Sequence, residues 1–160
     1  MLARLLKLLH ELGSFGTLGS VTACLILLRV HSGGTAHDPA AAGDVVAVIH
    51  YLLMPSFAAV LLSGLLAIAA TPAYINAGWA WIKALLGISV FEASLELSAT
   101  SREVEQLSRQ LAAGHDVLSR LTVAGRTERG VLWVLLGVSI ANVVLGIWRL
   151  RFVRNVRRQG

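Results

Sequence analysis

An uncharged apolar run at residues 45–70 is the sequence feature that most constrains how this chain can fold. A helix rises 1.5 Å per residue, so about 20 apolar residues cross the roughly 30 Å hydrocarbon core of a bilayer. The run exceeds that length, and Pro55 in its interior predicts a kink that neighbouring helices can accommodate. We therefore expect a membrane-spanning helix here, with Asp44 placed to cap its N-terminus.

The composition favours an integral membrane protein with a single domain over residues 1–160. The sequence is 56% hydrophobic and only 14% charged, whereas a typical soluble domain is about 25% charged. The apolar residues are mostly aliphatic, which favours helices, and we find none of the alternating segments of about 10 residues that build a membrane β-barrel. The single cysteine, Cys24, excludes an intrachain disulfide and a cysteine-based metal cage.

Three further apolar segments, at 5–28, 79–97 and 131–148, complete a pattern of four spans. The first follows basic residues, as a signal peptide does, but it continues beyond Cys24 and exceeds the usual signal core, so we expect a retained span. The predicted fold class is all-α, a four-helix transmembrane bundle. Between the last two spans, residues 101–121 have apolar residues at helical spacing, and this amphipathic helix either extends span three or lies on the membrane surface.

Two local patterns refine this fold. Thr100 and Glu103 have the spacing of a capping box, which predicts a helix start, and Gly114 predicts an interruption. Small residues recur along the first span, where they would let another helix approach closely. These residues are Gly13, Gly16, Thr17, Ser20 and Cys24.

The distribution of basic residues predicts the orientation of the spans. Arg4 and Lys7 precede the first span, and five arginines follow the fourth within residues 149–158. Lys and Arg concentrate in cytoplasmic segments, so both termini are expected in the cytoplasm. The net charge of +5 lies at span ends, which indicates anionic lipid rather than nucleic acid as its partner.

With this topology, His10, Glu11 and Lys83 share the cytoplasmic layer of the bundle. One interpretation is an ion pair between Glu11 and Lys83, with His10 hydrogen-bonded at the interface. The other is a haem site, because a histidine beside glycines leaves room for a flat macrocycle and neutral imidazole is a common axial ligand. Lys83 would then meet a haem propionate.

The outer layer brings together His50, Glu92 and Glu96. The two glutamates lie on one helix face because they are four residues apart. With the histidine, they could bind a divalent metal or relay protons. The alternative is a hydrogen-bonded group at the membrane interface.

Several of these residues together resemble a known group of proteins. The first span carries a histidine followed by glycines and a terminal arginine, and the third span begins with a Trp-x-Lys sequence before a charged helical loop. These residues are His10, Gly13, Gly16, Gly19, Arg29, Trp81 and Lys83. The pattern resembles small bacterial four-helix membrane proteins related to HemJ-type protoporphyrinogen oxidases and CopD-type membrane domains, most closely their uncharacterised relatives.

This resemblance implies a b-type haem within the helices and redox chemistry in the bacterial inner membrane. His10 would be the axial ligand and Lys83 a partner for a propionate or a charged substrate. Without the resemblance, the sequence leaves three functions open: a haem protein for electron transfer or substrate oxidation, a non-enzymatic scaffold or accessory subunit, and a small transporter or metal handler. We find no nucleophile–base pair typical of a soluble enzyme.

Overall fold

The computed structural model describes residues 2–31, 38–70 and 78–156, without the side chains at 2, 3, 79, 83, 143 and 145–156. The elements are α1 (Leu2–His31), α2 (Pro39–Val48), a π-helical turn (Ile49–Leu53), α3 (Met54–Ala70), α4 (Gly78–Ala112) and α5 (Leu118–Val156). No strand occurs in these ranges, which confirms the all-α class. Since α2, the turn and α3 are continuous, the described residues form four helical rods.

The second rod begins earlier than the sequence pattern predicted. Asp38 has an extended backbone, and its carboxylate accepts a hydrogen bond from the Ala40 amide at 2.9 Å. Pro39 occupies the first helical position, where its missing N–H costs nothing. Asp38 is therefore the helix cap, and the expected capping role of Asp44 is wrong because that residue lies inside α2.

The π-helical turn lies directly before Pro55. A proline cannot donate the next helical hydrogen bond, and its ring crowds the preceding turn. The chain widens here, because the Met54 amide bonds to the carbonyl of Ile49, five residues earlier. The sequence predicted a kink at Pro55, and the structure shows a changed hydrogen-bond register directly before it. Such π-helical turns often mark functional positions in helices.

Helix α4 runs through the boundary that the capping-box pattern predicted. Thr100 instead lies inside the helix, where its hydroxyl donates to the carbonyl of Glu96 at 3.0 Å. No glycine or proline occurs from 88 to 112, so nothing in the sequence stops the helix. The amphipathic segment thus continues α4 to Ala112, and the turn at Gly114, with φ of 88°, is the predicted interruption.

Each rod packs against the next one in the chain, and the last rod also packs against the first. Helix α1 lies against α3, α2 against α4, and α5 against both α4 and α1. A main apolar core draws on every rod: Val21, Cys24, Val45, Ile49, Leu53, Phe57, Leu97, Leu132 and Leu135. A smaller core joins α2 to the two helices beside the Gly114 turn: Ala42, Val104, Leu107, Leu121 and Ala124.

Two helical segments among the described residues are long and apolar enough to cross a membrane, Arg4–His31 and Pro39–Ala70. They contain the first two predicted spans. The predicted spans 79–97 and 131–148 lie within α4 and α5, and each includes side chains outside the described set. Membrane association through these two segments is thus the part of the predicted topology that the structure supports.

Candidate functional site

The imidazole of His10 joins α1 to α3. Its Nδ1 atom lies 3.2 Å from both the Val60 carbonyl oxygen and the Ser63 hydroxyl. The Ser63 hydroxyl donates its proton to the Ala59 carbonyl at 2.6 Å, so it accepts from the imidazole. Both partners of Nδ1 are therefore acceptors, which assigns the proton to Nδ1 and leaves the Nε2 lone pair available, as in many metal-binding histidines.

The surroundings of His10 do not fit a haem. A Cβ at Gly13 would lie 2.8 Å from Val60 Cγ2 and 2.9 Å from the Ser56 carbonyl oxygen, and one at Gly16 would overlap the Ser56 hydroxyl. The space that Gly13 and Gly16 leave on α1 is thus already filled by α3. Gly64, on the other helix, lies against the imidazole ring itself. His10 presents a suitable ligand nitrogen, but the glycines beside it do not leave room for a macrocycle.

The rest of the predicted inner layer is only partly described. Glu11 is exposed and pairs with Lys7 of its own helix, with 3.8 Å between the ammonium nitrogen and the carboxylate. The Lys83 side chain lies outside the described set. The predicted group of Glu11, Lys83 and an interfacial His10 therefore stays a prediction, and the structure shows His10 hydrogen-bonded to Val60 and Ser63 of α3.

The structure does not gather the predicted outer layer into a metal centre. His50, Glu92 and Glu96 are all exposed. His50 lies in a shallow groove with Arg102 and Glu105, and its ring meets Tyr51 edge-on at 5.0 Å between centroids. Among the described side chains, no three His, Cys, Asp or Glu residues are close enough to hold a metal ion.

The most unusual ionisable group in the described structure is the carboxyl of Glu128, which is 2% exposed. The hydroxyl of Ser101 donates to its Oε1 atom at 2.5 Å. Ion pairs elsewhere in the described structure join Lys7 to Glu11, Glu105 to Arg109, and Glu103 to Arg120. Glu128 belongs to none of them, so a buried carboxyl is held by a neutral hydroxyl.

Seven-residue spacing on two antiparallel helices explains how this pair meets. On α4, three buried serines follow one another at intervals of seven: Ser94, Ser101 and Ser108. On α5, Leu121, Glu128 and Leu135 are buried at the same interval. Two helices with this repeat keep one seam in contact along their length. Glu128 takes the place of a leucine in that seam, and Ser101 is its partner across it.

Burial makes a negative charge on this carboxyl costly. Loss of hydration raises the pKa of Glu128, and the Ser101 hydrogen bond and the nearby Arg129 charge only partly oppose that effect. Removing a carboxylate from water is costly unless a cation compensates it, so the neutral acid is favoured. Cys24 of α1, which is fully buried, lies within electrostatic range of the same carboxyl.

The sequence interpretation missed this site, because Glu128 stands between Arg126 and Arg129 and reads as part of a polar loop. The available signal was its place midway between Leu121 and Leu135. The chain matches no family model, no curated protein and no solved structure. The candidate site therefore rests on its own geometry.

Proposed function

We propose that this chain is a multi-pass membrane protein in which all four rods cross the bilayer as a four-helix transmembrane bundle. The supporting observation is the amount of apolar surface on the outside of the rods. Large apolar side chains are exposed along every rod: Leu8, Leu12, Phe15, Ile26, Leu52, Leu62, Leu66, Ile82, Leu85, Ile88, Trp133, Val134 and Ile140. A soluble monomer rarely exposes so much contiguous apolar surface, which would contact lipid tails here.

The polar residues buried between the rods also support a membrane bundle. The buried polar residues are mostly hydroxyl-bearing: Thr17, Ser20, Ser63, Ser94, Ser101 and Ser108. Helices in lipid gain little from burying leucine, since lipid tails are equally apolar, and they associate instead through small residues and hydrogen bonds. Glycine contacts between α1 and α3 follow this rule, because they bring the two backbones close together.

Within this membrane reading, the geometry favours a non-enzymatic component, either a scaffold or an accessory subunit of a larger complex. The part of α4 beyond the third predicted span and the first part of α5 form a hairpin whose turn is at Gly114. Its surface carries ion pairs between Glu103 and Arg120 and between Glu105 and Arg109. With cytoplasmic termini, that hairpin faces outward from a bacterial inner membrane. It would be the surface that a partner or a second copy meets.

The topology can be tested with single cysteines, because Cys24 is the only native one. In a Cys24→Ala background, His115→Cys places a thiol beside the hairpin turn and Lys7→Cys places one near the N-terminus, and both positions are exposed. A membrane-impermeant maleimide should label position 115 in spheroplasts and position 7 only after permeabilisation. Equal labelling of both in intact spheroplasts, or recovery of the protein in the soluble fraction, would reject the proposed topology.

The scaffold role has a separate test. Purified in mild detergent, the protein should migrate as an oligomer or together with specific partners, and surface charges of the hairpin should matter for that assembly. Arg120→Glu reverses one of those charges, while Lys7→Glu makes a matched reversal at the other end of the molecule. A monomer without partners would contradict the role while leaving the membrane topology intact.

A further inference from the structure

We infer that Glu128 is a proton-binding site in the helical core, and that its ionisation loosens the contact between α1 and the α4–α5 hairpin. This inference goes beyond the proposed scaffold role, since it concerns what the interior of the molecule responds to. It starts from the position of the carboxyl between two apolar clusters. Leu132, one turn further along α5, is fully buried in the main core, and Ala124, one turn before, belongs to the smaller one.

The groups that face Glu128 do not compensate a negative charge. Helix α4 contributes the neutral Ser101 hydroxyl. Helix α1 contributes the buried Cys24 thiol, which is neutral or negative in every state. The rod formed by α2 and the π-helical turn supplies the apolar side chains Val45 and Ile49 to the same core. The contacts of Glu128 described here, the Ser101 hydroxyl and the Cys24 thiol, are not cationic.

Among the described side chains, the cation whose charge acts on the carboxyl is Arg129, on the same helix. Arg129 is exposed, and its Nε atom donates to the Gly125 carbonyl at 3.2 Å rather than to Glu128. Its charge is therefore solvated and contributes little at the buried carboxyl. Arg102 and Glu103, the residues after Ser101 on α4, are exposed as well. The site thus favours binding one proton over holding a charge.

The mechanical consequence follows from what surrounds the carboxyl. An ionised, unpaired carboxylate in this core has to gain water, and the nearest way to admit water is to separate the packed helices. Such separation would expose Cys24, which is otherwise completely buried. The protonated form closes the core, and the ionised form opens it at the junction of α1, α4 and α5.

Infrared spectroscopy tests the first half of the inference directly, on the full-length protein in detergent or lipid. A protonated carboxyl has a carbonyl stretch that a carboxylate lacks. That band should persist at neutral pH in the native protein and in Glu103→Gln, which removes an exposed carboxyl, and be lost in Glu128→Gln. Absence of the band at neutral pH in the native protein would overturn the proton site.

Ser101→Ala gives a check that does not depend on how Glu128→Gln folds. Removing the hydroxyl takes away a hydrogen bond that favours the charged form. The carbonyl band should shift in frequency, and the pH at which it disappears should rise. An unchanged band and an unchanged midpoint would show that the acid seen is not Glu128.

Alkylation of Cys24 by a small permeant maleimide tests the second half. The rate rises with pH in any variant because the thiol ionises, so the informative quantity is the ratio of native to Glu128→Gln rates. A charged Glu128 disfavours a nearby thiolate, so a rise of this ratio with pH reports increased access to Cys24. This ratio should grow across the pH range in which the carbonyl band of Glu128 disappears. A constant ratio would reject the loosening, even if the infrared titration assigns the proton.

Discussion

Gly13 of α1 lies against the backbone of α3, where a Cβ at position 13 would be 2.9 Å from the carbonyl oxygen of Ser56. A backbone carbonyl inside a helix cannot move aside as a flexible side chain can. The two helices are therefore as close as this glycine permits. The small-residue stripe predicted for the first span is confirmed as a helix contact, and Gly16, which also meets Ser56, extends it by one turn.

Gly13→Ala should destabilise the protein by about 1–3 kcal/mol, the usual cost of overpacking, because α1 and α3 must separate. Gly19→Ala is the matched control on the same helix, since nothing lies within 4 Å of its added Cβ. The control should leave stability unchanged or raise it by up to about 1 kcal/mol, because alanine is the better helix former. Thermal unfolding in detergent compares the two, and equal losses would argue against a close contact at position 13.

The contact between Gly13 and Ser56 distinguishes two interpretations that the sequence alone could not distinguish. A histidine followed by glycines indicated room beside α1, and either another helix or a macrocycle could have occupied it. The distinction depends on residues about 45 positions away, Ser56 and Val60, whose register against α1 is set by tertiary packing. Local spacing thus identified the close-approach surface but not its occupant.

His10→Ala should leave the visible absorption spectrum of the purified protein unchanged and featureless. The substitution removes the hydrogen bonds to Val60 and Ser63, so it should cost about 1 kcal/mol of stability. His115→Ala, at the exposed hairpin turn, is the control and should cost little. A Soret band in the native protein that His10→Ala abolishes would establish haem binding and contradict the packing argument.

Ser101→Ala should destabilise the protein by about 1–3 kcal/mol, because Glu128 then has no hydroxyl across the seam and remains buried. Ser119→Ala, at an exposed position near the start of α5, is the control. The loss should be smaller when Ser101→Ala is made in a Glu128→Leu background, since position 128 then has no polar group that needs the partner. Additive effects in this double-mutant cycle would show that the two residues do not interact.

The stability conferred by this pair also depends on pH, with a defined sign. Burial raises the pKa of Glu128 above its ordinary value of 4.5. The folded state therefore holds the proton more tightly than the unfolded state does, and stability is lost as pH rises through the folded-state pKa. Below pH 4.5 the contribution is complete, which is opposite to the behaviour of a carboxylate in a salt bridge.

Thr17→Val should stabilise the protein by about 1 kcal/mol. Thr17 is buried on α1, and its hydroxyl has no hydrogen-bond partner in the described structure. Valine has the same shape without the cost of burying that hydroxyl. Thr22→Val is the control, because the Thr22 hydroxyl is exposed and donates to the Leu18 carbonyl at 2.8 Å. A loss of stability at position 17 would indicate a bound water or another polar partner there.

The helices themselves were largely predictable, and their ends were less so. The four apolar runs lie within the four rods, because apolar length and the lack of interrupting residues are local properties. The helix ends were harder to predict because several polar residues can act as a helix cap. Asp38 caps the second rod because Pro39 follows it, whereas Thr100 lies in a segment with no helix breaker. Glu128 was missed for another reason, since its burial follows from the pairing of α4 with α5.

Phe15→Arg distinguishes a membrane protein from a soluble helical protein with an apolar surface. Phe15 lies near the middle of α1 and is 73% exposed. On a soluble surface an arginine there would be tolerated and would improve solubility. In a lipid-facing position near mid-span it should cost about 2.5–3.5 kcal/mol and reduce the amount of protein inserted in the membrane. Val123→Arg is the matched control, because Val123 is 67% exposed on α5 but lies in the hairpin outside the predicted spans.

The measurement compares the membrane-fraction yield and the thermal stability of the two variants with those of the native protein. Loss confined to Phe15→Arg would support lipid contact at that position of α1. Equal tolerance of both substitutions would place Phe15 in water and reject the first span, whereas equal loss would mean that the hairpin face around Val123 is itself covered, by lipid or by a partner.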